Sequence, residues 1–119
     1  MESEPIAYID FDALRANVAD YDSLFLKLLR LFLEQAPQWI DELKMAFASE
    51  DPVLIRQLCH KIKGGAGTLQ ANAIIEAVAD LGRQVEADDP DRVEEGRRRL
   101  LNRIEQTIAY VRASGYIQS

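Results

Sequence analysis

Apolar residues recur at spacings of three and four along nearly the whole chain, and sustained apolar-polar alternation is almost absent. Side chains three or four apart share one face of a helix, whereas a half-buried strand needs a period of two. No Asn-Gly or Asp-Gly turn joins β-branched runs. The chain can therefore bury its apolar surface only by packing helix on helix.

Start and stop signals divide the pattern into five helices. A short first helix spans about Phe11 to Val18, and the aspartates within Ala19 to Asp22 are N-cap candidates for a long second helix reaching about Ser49. Pro37 falls inside that helix and lacks a backbone N–H, which predicts a kink near Leu33 to Gln35 unless the helix breaks there. Asp51-Pro52 is a capping acid followed by proline at the first helical position, and it opens a third helix to about Gln70. Asn72 can cap a fourth helix to about Ala87. Asp89-Pro90 repeats the acid-proline start, and the fifth helix runs to about Ala113, where Ser114-Gly115 stops it.

Short connections force neighbouring helices antiparallel. The expected fold is all-α: an antiparallel up-down-up-down four-helix bundle, with the short additional N-terminal helix covering one end. Phe32, Trp39, Leu43 and Phe47 on the second helix, with Ile74, Val78, Leu81 and Val85 on the fourth, fall at core spacings. At 119 residues the chain makes one domain, residues 1–119 with its core over about 9–113, and leaves no room for a separate nucleotide-binding domain.

Charge and cysteine usage narrow the function. A net charge of −6 argues against nucleic acid and anionic lipid, which need a surplus of Lys and Arg. Cys59 is the only cysteine, so an internal disulfide and a cysteine metal cage are both excluded, and no metal site is expected. Met1 to Ile9 carries acids and Pro5 rather than a secretory signal. The strongest apolar stretch, Leu24 to Leu33, is interrupted by Lys27 and Arg30 and is far short of the roughly 20 residues of a membrane span. A soluble, cytoplasmic monomer is the expectation.

The third helix holds the sole histidine and three of the six glycines, within His60-Lys61-Ile62-Lys63-Gly64-Gly65-Ala66-Gly67-Thr68-Leu69. With His60 at zero on a wheel of about 100° per residue, Ile55, Leu58, Ile62 and Leu69 cluster on the opposite face. That face is core, so His60 points to solvent, among Arg56, Gln57, Lys63, Gly64 and Gly67. Each glycine costs about 1 kcal/mol in a helix interior relative to alanine. Gly64 sits one turn beyond His60, where a larger side chain would lean back over the imidazole, so its absence leaves the ring clear for another protein. Gly65 points elsewhere and suits close helix packing.

Lys63 places a mobile ammonium beside the ring. An imidazole is largely neutral near neutral pH, so one ring nitrogen is a free nucleophile, and the lysine offsets the charge of an incoming phosphoryl group. The glycines are not a nucleotide loop, since no strand precedes them and no Lys-Ser/Thr ending follows.

The run from His60 to Leu69 resembles the signature of the histidine-containing phosphotransfer (HPt) domain family, a histidine followed three and four residues later by lysine and glycine. The helical layout from about Ile9 to Ala113 resembles the family's bundle. The resemblance implies that His60 is the phosphoacceptor, Lys63 its electrostatic partner and Gly64 the small neighbour that keeps it accessible, with Gly67 also matching. It implies a polar residue of the fourth helix, Gln84 or Glu86, hydrogen-bonded near the imidazole. Gln70 stands where many members carry glycine.

The expected activity is a relay between His60 and receiver-domain aspartates of response regulators, fed by a sensor or hybrid histidine kinase. No cofactor is expected on this chain, because no carboxylate cluster for Mg²⁺ adjoins His60; that ion belongs to the partner receiver. The chain is expected to carry phosphoryl groups without autonomous kinase activity. Alternatives are a non-catalytic bundle that sequesters a response regulator and an excised phosphotransfer domain of a chemotaxis-type kinase. Docking is expected around His60 through Arg56, Gln57, Lys61 and Gly67, with Phe11, Leu14, Leu24 and Leu28 as apolar candidates that could instead be core.

Overall fold

A computed structural model describes residues 8–117, so the start of the N-terminal stretch read for a leader lies outside the described residues. Five helices follow one another: α1 (Phe11–Asn17), α2 (Asp22–Ser49), α3 (Pro52–Thr68), α4 (Asn72–Glu86) and α5 (Pro90–Ala113). No strand occurs among the described residues. The four long helices close into an antiparallel ring in which α3 packs between α2 and α4, and α5 between α4 and α2.

Both acid-proline pairs act as caps. The Asp51 carboxylate accepts the Val53 N–H at 3.0 Å and that of Asp89 accepts the Arg92 N–H at 3.3 Å, which satisfies donors left free at each helix start. Asp10 does the same for α1, accepting from Ala13 N–H at 3.0 Å.

Two expected caps are corrected. Asp22 and Asn72 are the first residues inside α2 and α4, while Tyr21 and Ala71 hold the N-cap positions without a side-chain cap bond. Left-handed residues just upstream, Asp20 at φ 60° and Gln70 at φ 54°, turn the chain early and set these starts. Asp22 instead pairs with Arg15 of α1.

Gln70 completes a Schellman turn at the end of α3. Ala71 N–H donates to Ala66 C=O at 2.9 Å and Gln70 N–H to Gly67 C=O at 3.2 Å. The Gln70 carbonyl then accepts Asp10 N–H at 3.0 Å, which ties the entry of α1 to this corner. Helix α2 continues through Pro37 without a break. Pro37 is exposed, so the carbonyl one turn earlier that loses its donor can turn to water.

The core is one cluster to which every helix contributes: Leu14; Phe25, Leu29, Phe32, Trp39 and Leu43; Ile55, Leu58 and Ile62; Ile74, Val78 and Leu81; Leu100 and Ile104. Each such side chain stabilises the fold by about 1.5–3 kcal/mol when fully buried. Phe47 and Val85, expected as core, are only partly buried and pack against its edge. Among the described residues the one buried polar residue, Thr107, is satisfied by donating its hydroxyl to the Arg103 carbonyl at 2.6 Å. Among the described residues no helix is long and apolar enough to cross a membrane.

Candidate functional site

The apolar stripe of α3 fixes where His60 points. Ile55, Leu58, Ile62 and Ala66 are buried against the bundle, and the exposed side carries Arg56, Gln57, His60, Lys61, Lys63 and Gly64. A Cβ added at Gly64 or at Gly67 would meet nothing within 4 Å, so neither glycine is there to fit a neighbour. Gly65 is different. A Cβ there would stand 2.7 Å from the Trp39 ring, so this glycine lets α3 settle on α2.

Cross-helix pairs set the register. Lys61 donates to both Glu42 carboxylate oxygens, at 2.9 and 3.1 Å, and so faces α2. On the other side Arg56 lies 3.6 Å from Glu86 of α4. Because α3 and α4 run antiparallel, His60, one turn after Arg56, is level with Gly82, one turn before Glu86. A groove between the two helices is accordingly lined by Arg56, Cys59, His60 and Lys63 on one wall and Val78, Ala79, Gly82, Arg83 and Glu86 on the other.

Gln84 is not in this groove. Its Oε1 is buried against Gly96 of α5, so the expected hydrogen bond to the imidazole is corrected: two residues along α4 from Gly82 turn the side chain to the far face. Glu86 does line the groove, but its carboxylate pairs with Arg56. Gly82 and Arg83 are the additions that sequence reasoning missed. A glycine in the middle of the fourth helix, at a cost of about 1 kcal/mol relative to alanine, was the available signal for the first, and the structure shows that a Cβ there would meet nothing within 4 Å.

Cys59 adjoins His60 without offering a second nucleophile. Burial pushes its thiol from the ordinary 9.0 up to about 11, so it stays protonated near neutral pH. Among the described residues no group of three or more His, Cys, Asp or Glu side chains could hold a metal ion.

The expected apolar docking candidates separate. Leu14 is fully buried and belongs to the core. Phe11 is half-buried in an aromatic cluster, stacked on Tyr110 at 5.3 Å between centroids and edge-on to Tyr116 at 5.0 Å. Leu24 is exposed and Leu28 half-buried. With Trp39 seated on Gly65, the rise along the helices puts these two leucines about 25–30 Å from the level of His60, past the end of α3. Exposed Met45, Val53 and Leu54 lie nearer; Met45 and Leu54 line a groove with Gln57 and Lys61, while Val53 shares the face of His60 about 10 Å away along the axis.

A family model described as Hpt domain matches residues 27–114, well over half of the chain. Among solved structures the chain is similar to the crystal structure of the HPT domain from the Hpt sensor hybrid histidine kinase from Shewanella. That match has a TM-score of 0.76 and 15% identity, and covers 89% of this chain and 92% of the other. At that identity the likeness concerns the fold. No curated protein matches the sequence.

Proposed function

The chain belongs to the Hpt domain family, whose work is histidine phosphotransfer in two-component signalling, and from that premise we propose that it relays a phosphoryl group between His60 and receiver-domain aspartates. The observation that carries this reading is the open surface at His60: the exposed imidazole stands beside Gly64 and Gly67, where even a methyl group would touch nothing.

In the forward step a lone pair on a ring nitrogen forms an N–P bond while the P–O bond of the aspartyl phosphate breaks, and the electron pair of that bond leaves with the carboxylate. Lys63, on the same exposed face, offsets the charge that arrives. The reverse step returns the group to a second receiver. The Mg²⁺ that stabilises charge in such transfers belongs to the receiver, and a sensor or hybrid histidine kinase stands upstream.

Docking would use the polar ring of Arg56, Gln57 and Lys61 around His60. Apolar contact would come from Met45, Val53 and Leu54, with Leu24 and Leu28 reached only by a footprint extending past the end of α3.

The test is to mix the protein with a panel of phosphorylated receiver domains and follow the label. Transfer to this chain and onward to a second receiver supports the relay. Stable complexes without movement of label would favour a sequestering module instead.

A further inference from the structure

The groove between α3 and α4 carries more positive charge than the pairing of His60 with Lys63 accounts for. Arg56 precedes His60 by one turn and Lys63 follows it by nearly one, so both flank the ring on the exposed face of α3. Arg83 reaches the same groove from α4, beside the open position at Gly82. Glu86 is the one acid among the lining residues.

Both arginines sit in solvent-exposed pairs. The Arg56–Glu86 separation is 3.6 Å, and the side chains are 46% and 67% exposed, which makes the pair a weak, solvated one. The Arg83 guanidinium donates to Asp80 on its own helix, on the side of α4 that faces a neighbouring groove with Asp89 and Arg92, and leaves that bond to reach the seat; Asp80, 3.6 Å from Arg99, then still keeps a cation. Lys61 contrasts with them, since two bonds to Glu42 hold it toward α2.

Resting on the reading of His60 as phosphoacceptor, we propose that this groove seats the phosphoryl group, that Arg56 and Arg83 bind it together with Lys63, and that Arg56 exchanges Glu86 for it. A phosphoryl group brings close to two negative charges and three acceptor oxygens, which a guanidinium meets with two parallel N–H donors. Such a contact is stronger than an exposed carboxylate pair at 3.6 Å. Once the group is present, Glu86 is repelled by it and turns to water, while Gly82 leaves the room that the seat requires. Glu86 thus competes for Arg56 before transfer and opposes the phosphoryl group after it.

The two partners of one ion pair should then act in opposite directions. Arg56→Gln and Arg83→Gln are each expected to shorten the phosphohistidine half-life, and to lower the share of phosphoryl held at equilibrium with a receiver, by about three- to tenfold. Glu86→Gln should raise both. Arg56→Lys keeps the charge but not the paired donors and should fall between wild type and Arg56→Gln, which separates loss of binding from loss of fold. A merely structural ion pair predicts that Arg56→Gln and Glu86→Gln behave alike. Shifts of the same sign, or no shift in either, would overturn the assignment while His60 still takes label. Failure of the wild type to take label at all would instead remove the phosphoacceptor reading beneath it.

Discussion

Gly65 lies so close to the indole of Trp39 that an added Cβ would stand 2.7 Å from the ring, and this contact sets how closely α3 lies on α2. Trp39 is almost completely buried, so the ring cannot swing away to make room. Overpacking of this kind costs about 1–3 kcal/mol, against roughly 1 kcal/mol gained in helix propensity. Gly65→Ala is expected to lower stability by up to about 2 kcal/mol in urea denaturation, the overpacking cost less that gain. A stabilised variant would mean the ring is free to shift.

Gly64 and Gly67 should respond in the opposite sense, since a Cβ at either meets nothing. Gly64→Ala and Gly67→Ala are each expected to stabilise the protein by up to about 1 kcal/mol. Gly64→Leu should keep the fold, because leucine also exceeds glycine in helix propensity, yet it should block phosphoryl exchange by leaning over His60. Circular dichroism together with a transfer assay separates the two effects. Loss of transfer through unfolding would contradict the steric account.

Gln70 occupies a left-handed position, φ 54°, at the end of the Schellman turn. A side chain there costs roughly 1 kcal/mol that glycine avoids. Gln70→Gly is therefore expected to raise the melting temperature by a few degrees, or leave it unchanged if the freer unfolded chain offsets the gain. A clear fall would show that the glutamine side chain itself stabilises the corner.

Burial raises the Cys59 thiol from 9.0 to about 11. The folded state thus holds this proton more tightly than the unfolded state, and the contribution is present below about pH 9 and lost as pH rises toward about 11. Wild type should lose more stability over that window than Cys59→Ala, in which lysine and tyrosine titrations remain. Equal losses in the two proteins would place the thiol in contact with water.

Much of the bundle was legible because its signals are local. Asp51-Pro52 and Asp89-Pro90 cap where they stand, and the stripe Ile55, Leu58, Ile62 alone suffices to turn His60 outward. What escaped depends on contacts between helices. Gly82 and Arg83 share a groove with His60 only because α3 and α4 meet in one register, which neither helix encodes by itself. The same register leaves Glu86 on Arg56, while the packing of α4 on α5 places Gln84 against Gly96. Leu14 and Leu24 have similar spacing signals, yet Leu14 is buried in the core while Leu24, next to buried Phe25 on α2, is exposed.

The most direct test of the central claim is label transfer to His60→Gln from a phosphorylated receiver domain. Wild type should take a base-stable, acid-labile label that maps by mass spectrometry to the peptide containing His60, and the variant should take none while keeping its helical spectrum. Comparable labelling of His60→Gln would place the phosphoryl group on another residue and contradict the account.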